Sequence, residues 1–262
     1  MKVVILAGGL GTRISEESAL RPKPMIEIGG KPILWHIMKI YSHYGFHEFV
    51  ICLGYKGYMV KEYFADYYLH TSDITFDFTR GNSMTVHNNA SEPWKVTLVD
   101  TGLNAQTGCR IKRIQKYIGD EPFMLTYGDG VSNVDLNALI AAHEATKEQA
   151  IVTMTAIQPG GRFGVLDIES STNEVTRFVE KAKEDGGWIN GGFMVVEPAV
   201  FDYLRDDDDC VFETEPLETI ARSGGLHAYK HTGFWQCMDT QRDKIRLEHR
   251  WETGRAPWKL WA

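Results

Sequence analysis

The apolar positions of the first part of the chain alternate between unbroken runs and helical spacing. Val3–Ala7 is a continuous apolar run that ends at glycine, and Phe49–Leu53 repeats this pattern. Between them, apolar residues of the segment Ile33–Tyr44 fall on one helical face, and Lys56–Leu69 predicts a second helix. Buried parallel strands are typically unbroken apolar runs. The order strand, helix, strand, helix therefore predicts a parallel sheet with right-handed crossovers.

The remaining pattern extends this α/β arrangement. It predicts further strands at Ile74–Thr79, Met84–His87, Trp94–Val99, Phe123–Tyr127, Ile151–Ile157, Phe163–Ile168, Glu174–Glu180 and Phe193–Val196. It predicts further helices at Thr107–Ile118, Asp135–Lys147, Glu215–Ser223 and Thr240–Glu252. After Pro159 the strands shorten and glycine turns become frequent. We expect a Rossmann-like, mixed but mostly parallel sheet flanked by helices, with an α/β core at 1–158 and a smaller β-rich part with C-terminal helices at 159–262, joined as one continuous structural unit.

Composition narrows the class of protein. The chain has 262 residues, of which 43% are hydrophobic and 24% charged, as in an ordinary globular domain. Its net charge of −7 argues against general nucleic-acid binding, although a local basic pocket can still bind an anionic small molecule. The four cysteines form no CxxC pair, no apolar run is long enough for a membrane span, and no targeting segment is evident. We expect a cytoplasmic protein with free thiols and no membrane contact.

The first strand leads into a glycine-rich segment, GGLGTR, at Gly8–Arg13. Glycines there let backbone N–H groups approach a phosphate closely. The Walker pattern is absent, and the dinucleotide pattern GxGxxG fails because Ile14 replaces its third glycine. What remains is GGxGTR followed by PKPM at Pro22–Met25. The pair predicts a phosphate site with two nearby cations, Arg13 and Lys23.

These two motifs resemble the signature of the sugar-1-phosphate nucleotidyltransferases, LAGGxGTR followed by PKPM, seen here at Leu6–Arg13 and Pro22–Met25. The resemblance continues in GDG at 128–130, EK at 180–181, NGG at 190–192 and Asp239 in a late aromatic loop. The stretches INGGF and APWKLW are most similar to members that use CTP and glucose 1-phosphate.

The resemblance implies a reaction: CTP and α-D-glucose 1-phosphate give CDP-glucose and pyrophosphate, with Mg²⁺ as cofactor. It further implies a homo-oligomer and a place in O-antigen lipopolysaccharide biosynthesis. Two alternatives stay open at this point. One is the same chemistry with UTP, dTTP or another sugar 1-phosphate, and the other is a non-catalytic nucleotide-sugar sensor.

The expected catalytic residues are Arg13, Lys23 and Asp129. Their expected roles follow from the need to neutralise the negative charge of the substrate phosphates. Arg13 can bind the β- and γ-phosphates through two hydrogen bonds, and Lys23 can place a point charge at the α-phosphate or at the incoming phosphate. Asp129 and Asp239 are, by the resemblance, the two metal ligands, and carboxylates suit octahedral Mg²⁺. Asp129 could instead be a turn aspartate, and Asp239 could instead be the N-cap of the helix predicted at Thr240–Glu252.

The resemblance also implies the substrate contacts. The base is expected at the segment Thr101–Arg110, with Arg110 donating to the acceptors of cytosine; alternatively, Arg110 lies with Lys112, Arg113 and Lys116 on the solvent face of a helix. Aromatics at Trp251, Trp258 and Trp261 more often complete a core or a subunit contact than bind a ligand. The full expected substrate-binding set is Leu6, Ala7, Gly8, Gly9, Gly11, Thr12, Arg13, Lys23, Thr101, Gly102, Ala105, Arg110, Gly128, Glu180, Lys181, Asn190 and Gly191.

Overall fold

A computed structural model describes residues 1–79, 81–146, 148–158, 165–179 and 187–261. Its strands within these ranges are β1 (Val3–Leu6), β2 (Glu27–Ile28), β3 (Lys31–Pro32), β4 (Glu48–Leu53), β5 (Ile74–Asp77), β6 (Ser83–Val86), β7 (Lys95–Asp100), β8 (Phe123–Tyr127), β9 (Gly130–Ser132), β10 (Val152–Ile157), β11 (Val165–Ile168), β12 (Val175–Val179), β13 (Trp188–Val196), β14 (Leu226–Lys230) and β15 (Trp235–Cys237).

The helices lie on both sides of the sheet. They are α1 (Ser15–Ser18), α2 (Ile33–His43), α3 (Gly57–Ala65), α4 (Tyr67–His70), α5 (Thr107–Arg113), α6 (Gln115–Ile118), α7 (Leu136–Glu144), α8 (Glu215–Arg222) and α9 (Gln241–Glu252), with 3₁₀ turns at Thr12–Ile14, Lys23–Met25 and Pro198–Tyr203. None of the helices in the described ranges is long and apolar enough to cross a membrane.

Among the described residues, nine strands form one mixed sheet with a parallel centre. Its order is β12-β11-β13-β8-β1-β4-β7; β10 pairs with β13 off this path, and β14 pairs with β10. β1 pairs in parallel with both β4 and β8, so Val3 lies level with Phe49 on one side and Met124 on the other. β13 runs antiparallel to β8 and β10. The predicted α/β sheet is confirmed, and it contains strands from both sides of residue 158.

Both faces of this sheet are covered, which explains the unbroken apolar runs. Along β1, Val4 and Leu6 pack into one core, which also contains apolar residues of α5 and α8. Val3 and Ile5 pack into the other core, with residues of α2, α7 and α9. Because successive side chains of a strand point to opposite faces, a strand between two helical layers needs apolar residues at every position.

Two predicted helices are interrupted. The segment predicted as one helix at Lys56–Leu69 forms α3 and α4, separated at Asp66. The segment Thr107–Ile118 forms α5 and α6, separated at Ile114. The period of the apolar positions does not change at these points, so the sequence pattern alone did not reveal the breaks.

The C-terminal tryptophans complete the core on the α2 face. Trp258 is only 1% exposed, and its indole N–H lies 3.3 Å from Nδ1 of the buried His36. The other ring nitrogen of His36 lies 2.8 Å from the Ile28 carbonyl oxygen. Trp251 and Trp261 flank the same imidazole at 4.6 and 6.2 Å between ring centroids. The tail is therefore part of the folded domain, which confirms the core interpretation for Trp258.

Candidate active site

The glycine segment begins at the carboxyl edge of the sheet, where β1 lies between β4 and β8. Ligands of open α/β sheets bind at this edge. The backbone is packed tightly here: a Cβ added to Gly8 would lie 2.3 Å from Nη1 of Arg110, and one added to Gly128 would lie 2.8 Å from the Leu6 carbonyl oxygen. Gly11 has a φ of +67°, which side-chain-bearing residues rarely adopt. Glycine is thus required where the chain turns over this edge.

An open cavity of about 310 Å³ lies over the edge. The expected site residues that line it are Leu6, Ala7, Gly8, Gly9, Gly11, Thr12, Arg13, Lys23, Ala105, Arg110, Gly128 and Asp129. Four further lining residues, Pro24, Gln106, Thr107 and Tyr127, were not predicted. Tyr127 directly precedes Gly128 at the end of β8. Its position next to an expected site residue could have identified it as a lining residue.

Lys23 joins the two aspartates that were predicted as metal ligands. Its Nζ lies 2.5 Å from Oδ2 of Asp129 and 2.6 Å from Oδ1 of Asp239. The Nη1 of Arg13 lies 2.5 Å from the other oxygen, Oδ2, of Asp239. The structure therefore brings together four residues that lie up to 226 positions apart in the chain.

Short pieces of regular structure hold this cluster together. Lys23 opens a 3₁₀ turn between Pro22 and Pro24. β15 pairs antiparallel with β9, with Cys237 opposite Gly130, and the Met238 N–H donates to the Asp129 carbonyl at 2.8 Å. This pairing sets the two aspartates side by side although they follow different strands.

The electrostatics of the cluster keep Lys23 charged. Burial by itself would lower the pKa of Lys23, but the adjacent carboxylates of Asp129 and Asp239 outweigh that effect and raise the pKa above its ordinary value. The Lys23 side chain is 13% exposed, whereas the Arg13 side chain is 71% exposed. Lys23 is thus a fixed positive charge at the base of the cavity, and Arg13 is a solvent-facing charge at its rim.

The N-cap alternative for Asp239 is wrong. Thr240 caps α9, because its hydroxyl accepts the Asp243 N–H and the Asp243 carboxylate accepts the Thr240 N–H in a capping box. Asp239 lies one residue outside this cap, and its carboxylate binds Lys23 and Arg13 instead.

The same two carboxylates could hold a divalent cation. They already converge on one positive centre, the ammonium of Lys23, which shows that their oxygens can share a cation. Among the residues described, there is no group of three or more His, Cys, Asp or Glu side chains placed to hold a metal. Any ion bound here would take two ligands from the protein and the others from phosphate and water, a set that suits Mg²⁺.

Arg110 is almost completely buried in the wall of the cavity. It is 4% exposed, so the alternative that places it on the solvent face of the helix is wrong. Its guanidinium donates to carbonyl oxygens of Gly8, Leu53, Gly102 and Leu103 and to the Thr101 hydroxyl. Burial lowers the pKa of Arg110. Thr101 and Gly102 were expected to contact the substrate. Both accept hydrogen bonds from Arg110, and neither lines the cavity.

Asn190 and Gly191 lie beside the cavity on β13. The Asn190 amide nitrogen donates to the Tyr127 hydroxyl at 3.0 Å, and the indole N–H of Trp235 donates to the Gly191 carbonyl at 2.6 Å. The strand is irregular here, with a φ of +73° at Gly192. The other two expected substrate-binding residues from this part of the chain, Glu180 and Lys181, lie outside the described residues.

A family model described as "Nucleotidyl transferase" matches residues 2–237. The chain is 57% identical over its full length to the full length of a Salmonella typhi protein named "Glucose-1-phosphate cytidylyltransferase". It is 46% identical, with both chains fully covered, to a Bacillus subtilis protein named "Probable glucose-1-phosphate cytidylyltransferase". Among solved structures it is similar to HddC from Yersinia pseudotuberculosis, with a TM-score of 0.75, 25% identity, and 95% of this chain and 99% of that chain covered.

Proposed function

Because the chain belongs to the nucleotidyl transferase family, we propose that it transfers a cytidylyl group from CTP to α-D-glucose 1-phosphate and releases CDP-glucose and pyrophosphate. The names of the full-length relatives support this choice of substrates. The observation that carries the chemistry is the cluster of Lys23, Arg13, Asp129 and Asp239 beside a glycine-rich phosphate loop.

The reaction is a displacement at phosphorus. An oxygen of the sugar phosphate attacks the α-phosphorus of CTP in line, and the bond to the β-phosphate oxygen breaks. A phosphate oxygen is already an adequate nucleophile, so no strong base is needed. Positioning and charge neutralisation must then supply most of the rate enhancement.

Each group at the site would bind or neutralise a different part of the two substrates, according to where it lies. Backbone N–H groups of the Gly8–Arg13 segment cradle the triphosphate. Lys23, which is buried and charged, neutralises the α-phosphate, where the two anionic substrates meet. Arg13 is exposed at the rim and can close over the departing pyrophosphate. Asp129 and Asp239 would hold Mg²⁺, which would supply charge neutralisation at the phosphate oxygens.

The two parts of the chain are proposed to bind one substrate each. Residues 1–158 would bind the nucleotide, and residues 159–262 would bind the sugar phosphate through Asn190 and Gly191, with Glu180 and Lys181. Arg110 is proposed to favour cytosine. Its guanidinium would release one of its two carbonyl partners, Gly102 or Leu103, and donate to an acceptor of the base instead.

We also propose that the chain forms a homo-oligomer. The hairpin β5–β6 pairs only within itself among the strands described, and it exposes Phe76 and Phe78 by 54% and 77%. Exposed apolar patches of this kind commonly mark contacts between proteins. Light scattering with size-exclusion chromatography is expected to give a mass that is a multiple of 29.7 kDa. On the same resemblance, the product would enter O-antigen synthesis.

Pyrophosphate release tests the proposed function. The purified protein is supplied with Mg²⁺ and glucose 1-phosphate, and CTP, UTP, dTTP, ATP and GTP are offered in parallel. Release with CTP alone is expected. Release with another triphosphate would keep the chemistry and change the base. If no triphosphate gives release, other sugar 1-phosphates are offered next, and no release with any of them would favour a nucleotide-sugar sensor.

A further inference from the structure

Glu213 lies in the turn just before α8, outside the cavity, and yet binds two residues that line it. Its Oε1 accepts the Tyr127 hydroxyl at 2.6 Å. Its Oε2 accepts the Thr107 hydroxyl at 2.5 Å. Tyr127 and Thr107 line the cavity from β8 and from the start of α5. One carboxylate therefore ties together two walls of the site.

The carboxylate also sets the direction of a hydrogen-bond chain. An ionised carboxylate only accepts, and the Tyr127 hydroxyl donates its single proton to Glu213. With that proton donated, the Tyr127 oxygen accepts from the Asn190 amide nitrogen, which lies 3.0 Å away. At the other end of the same amide, Oδ1 of Asn190 accepts the Gly192 N–H at 2.9 Å.

The Tyr127 hydroxyl at one end and the Gly192 N–H at the other therefore favour the same orientation of the Asn190 amide. If the amide were flipped, its nitrogen would face the Gly192 N–H, and its oxygen would face a tyrosine hydroxyl whose proton is already committed. Two donors in contact are unfavourable in a partly buried site. The orientation fixes which side of the amide can offer an N–H and which can offer a lone pair to a ligand.

We propose that Glu213 is a positioning residue for sugar recognition, which orients the Asn190 amide through Tyr127. The inference rests on the proposed function, in which Asn190 contacts the hydroxyl groups of glucose 1-phosphate. Glu213 does not itself touch the substrate. It acts by accepting the Tyr127 hydroxyl proton, so that the Tyr127 oxygen accepts from Asn190.

A purely structural role for Glu213 would give a different set of changes. The Thr107 hydroxyl, which Glu213 binds, also accepts the Phe212 N–H at 2.9 Å, so Glu213 contributes to the packing of α5 against the turn before α8. Loss of that packing alone would lower the melting temperature and disturb the binding of both substrates. Loss of the amide orientation would disturb sugar binding selectively.

Five proteins test the proposal: wild type, Glu213→Ala, Tyr127→Phe, the double variant and Glu213→Gln, with Glu215→Gln as a control. Glu215 lies two residues away, is exposed, and pairs with Arg205. Steady-state kinetics give separate KM values for glucose 1-phosphate and CTP, and circular dichroism gives the melting temperature of each variant.

Glu213→Ala and Tyr127→Phe are each expected to raise the KM for glucose 1-phosphate about fivefold, the effect of one neutral hydrogen bond, with the KM for CTP changed less than twofold. The double variant is expected to match the single ones, because both remove the same link. Glu213→Gln is expected to stay within twofold of wild type, since its amide oxygen can still accept the Tyr127 proton. Glu215→Gln is expected to match wild type.

Three results would overturn the proposal: an unchanged KM for glucose 1-phosphate in Glu213→Ala, an equal rise in both KM values, or additive effects in the double variant. If Glu213→Ala does not fold, Tyr127→Phe and Glu213→Gln decide the question by the same selective changes in KM. Failure of the proposed function is recognised separately, because the wild-type protein would then release no pyrophosphate from CTP and glucose 1-phosphate.

Discussion

Lys23 occupies the position between two carboxylates where a divalent cation is proposed to bind. The ammonium and the cation compete for the same oxygens, one on Asp129 and one on Asp239. Replacing Lys23 with methionine removes the charge and keeps an unbranched side chain of similar length. We therefore expect Lys23→Met to bind divalent metal more tightly than wild type in the absence of nucleotide, while losing most of its turnover.

The magnitude follows from the contacts that a metal must displace. Lys23 makes two hydrogen bonds to carboxylates, and hydrogen bonds to charged groups contribute about 1.5–3 kcal/mol each. Breaking only one of them costs metal binding about 1.5 kcal/mol, which corresponds to a roughly tenfold weaker affinity for the metal. We expect the dissociation constant for Mn²⁺ to fall by at least about tenfold in Lys23→Met.

Electron paramagnetic resonance of Mn²⁺ measures this directly, because the signal of free Mn²⁺ disappears on binding. The titration is done without nucleotide and at pH 8, where carboxylates are ionised. Lys95→Met is the control, since Lys95 also pairs with a carboxylate, that of Glu48, but is 74% exposed and lies outside the site. Equal Mn²⁺ affinity in wild type and Lys23→Met would refute the competition and the assignment of the two aspartates as metal ligands.

Three further changes have defined outcomes. Asp129→Asn is expected to lower turnover at least about a hundredfold with a melting temperature near that of wild type; near-normal turnover with Mg²⁺ would remove Asp129 from the site. Arg110→Ala is expected to reduce the preference for CTP over UTP more than it raises the KM for glucose 1-phosphate, and unchanged base selectivity in a competition assay would contradict its role. Burial lowers the pKa of His36 to about 4 from its ordinary value of 6.5, so unfolding takes up a proton between these values. Stability is then fully present above pH 6.5 and falls by up to about 3 kcal/mol as the pH drops toward 4. Urea titrations at several pH values are expected to show this slope in wild type and a smaller one in His36→Gln; equal slopes would show that His36 is not its source.

The parts of the fold that follow from local pattern were predictable. β1, β4 and β8 are apolar at nearly every position because helices cover both of their faces, and that signature is visible in the sequence. The glycine segment was predictable for a similar reason, since close approach of backbone to Arg110 and Leu6 leaves no room for side chains.

Features that depend on contacts between distant segments were not predictable in the same way. The sequence alone left open whether Asp239 caps a helix, and the structure excludes this because Thr240 and Asp243 form the cap by themselves. The burial of Arg110 depends on carbonyls of three separate segments. The sequence did not predict any role for Glu213, because its partners Tyr127 and Thr107 lie 86 and 106 positions away in the chain.

The central claim is that an oxygen of the sugar phosphate attacks the α-phosphorus of CTP. Glucose 1-phosphate labelled with ¹⁸O in its three non-bridging phosphate oxygens tests this most directly, with mass spectrometry of both products. The account predicts that all three labels appear in CDP-glucose and that the pyrophosphate is unlabelled. Label in the pyrophosphate, or a labelled sugar nucleotide formed from a triphosphate other than CTP, would contradict it.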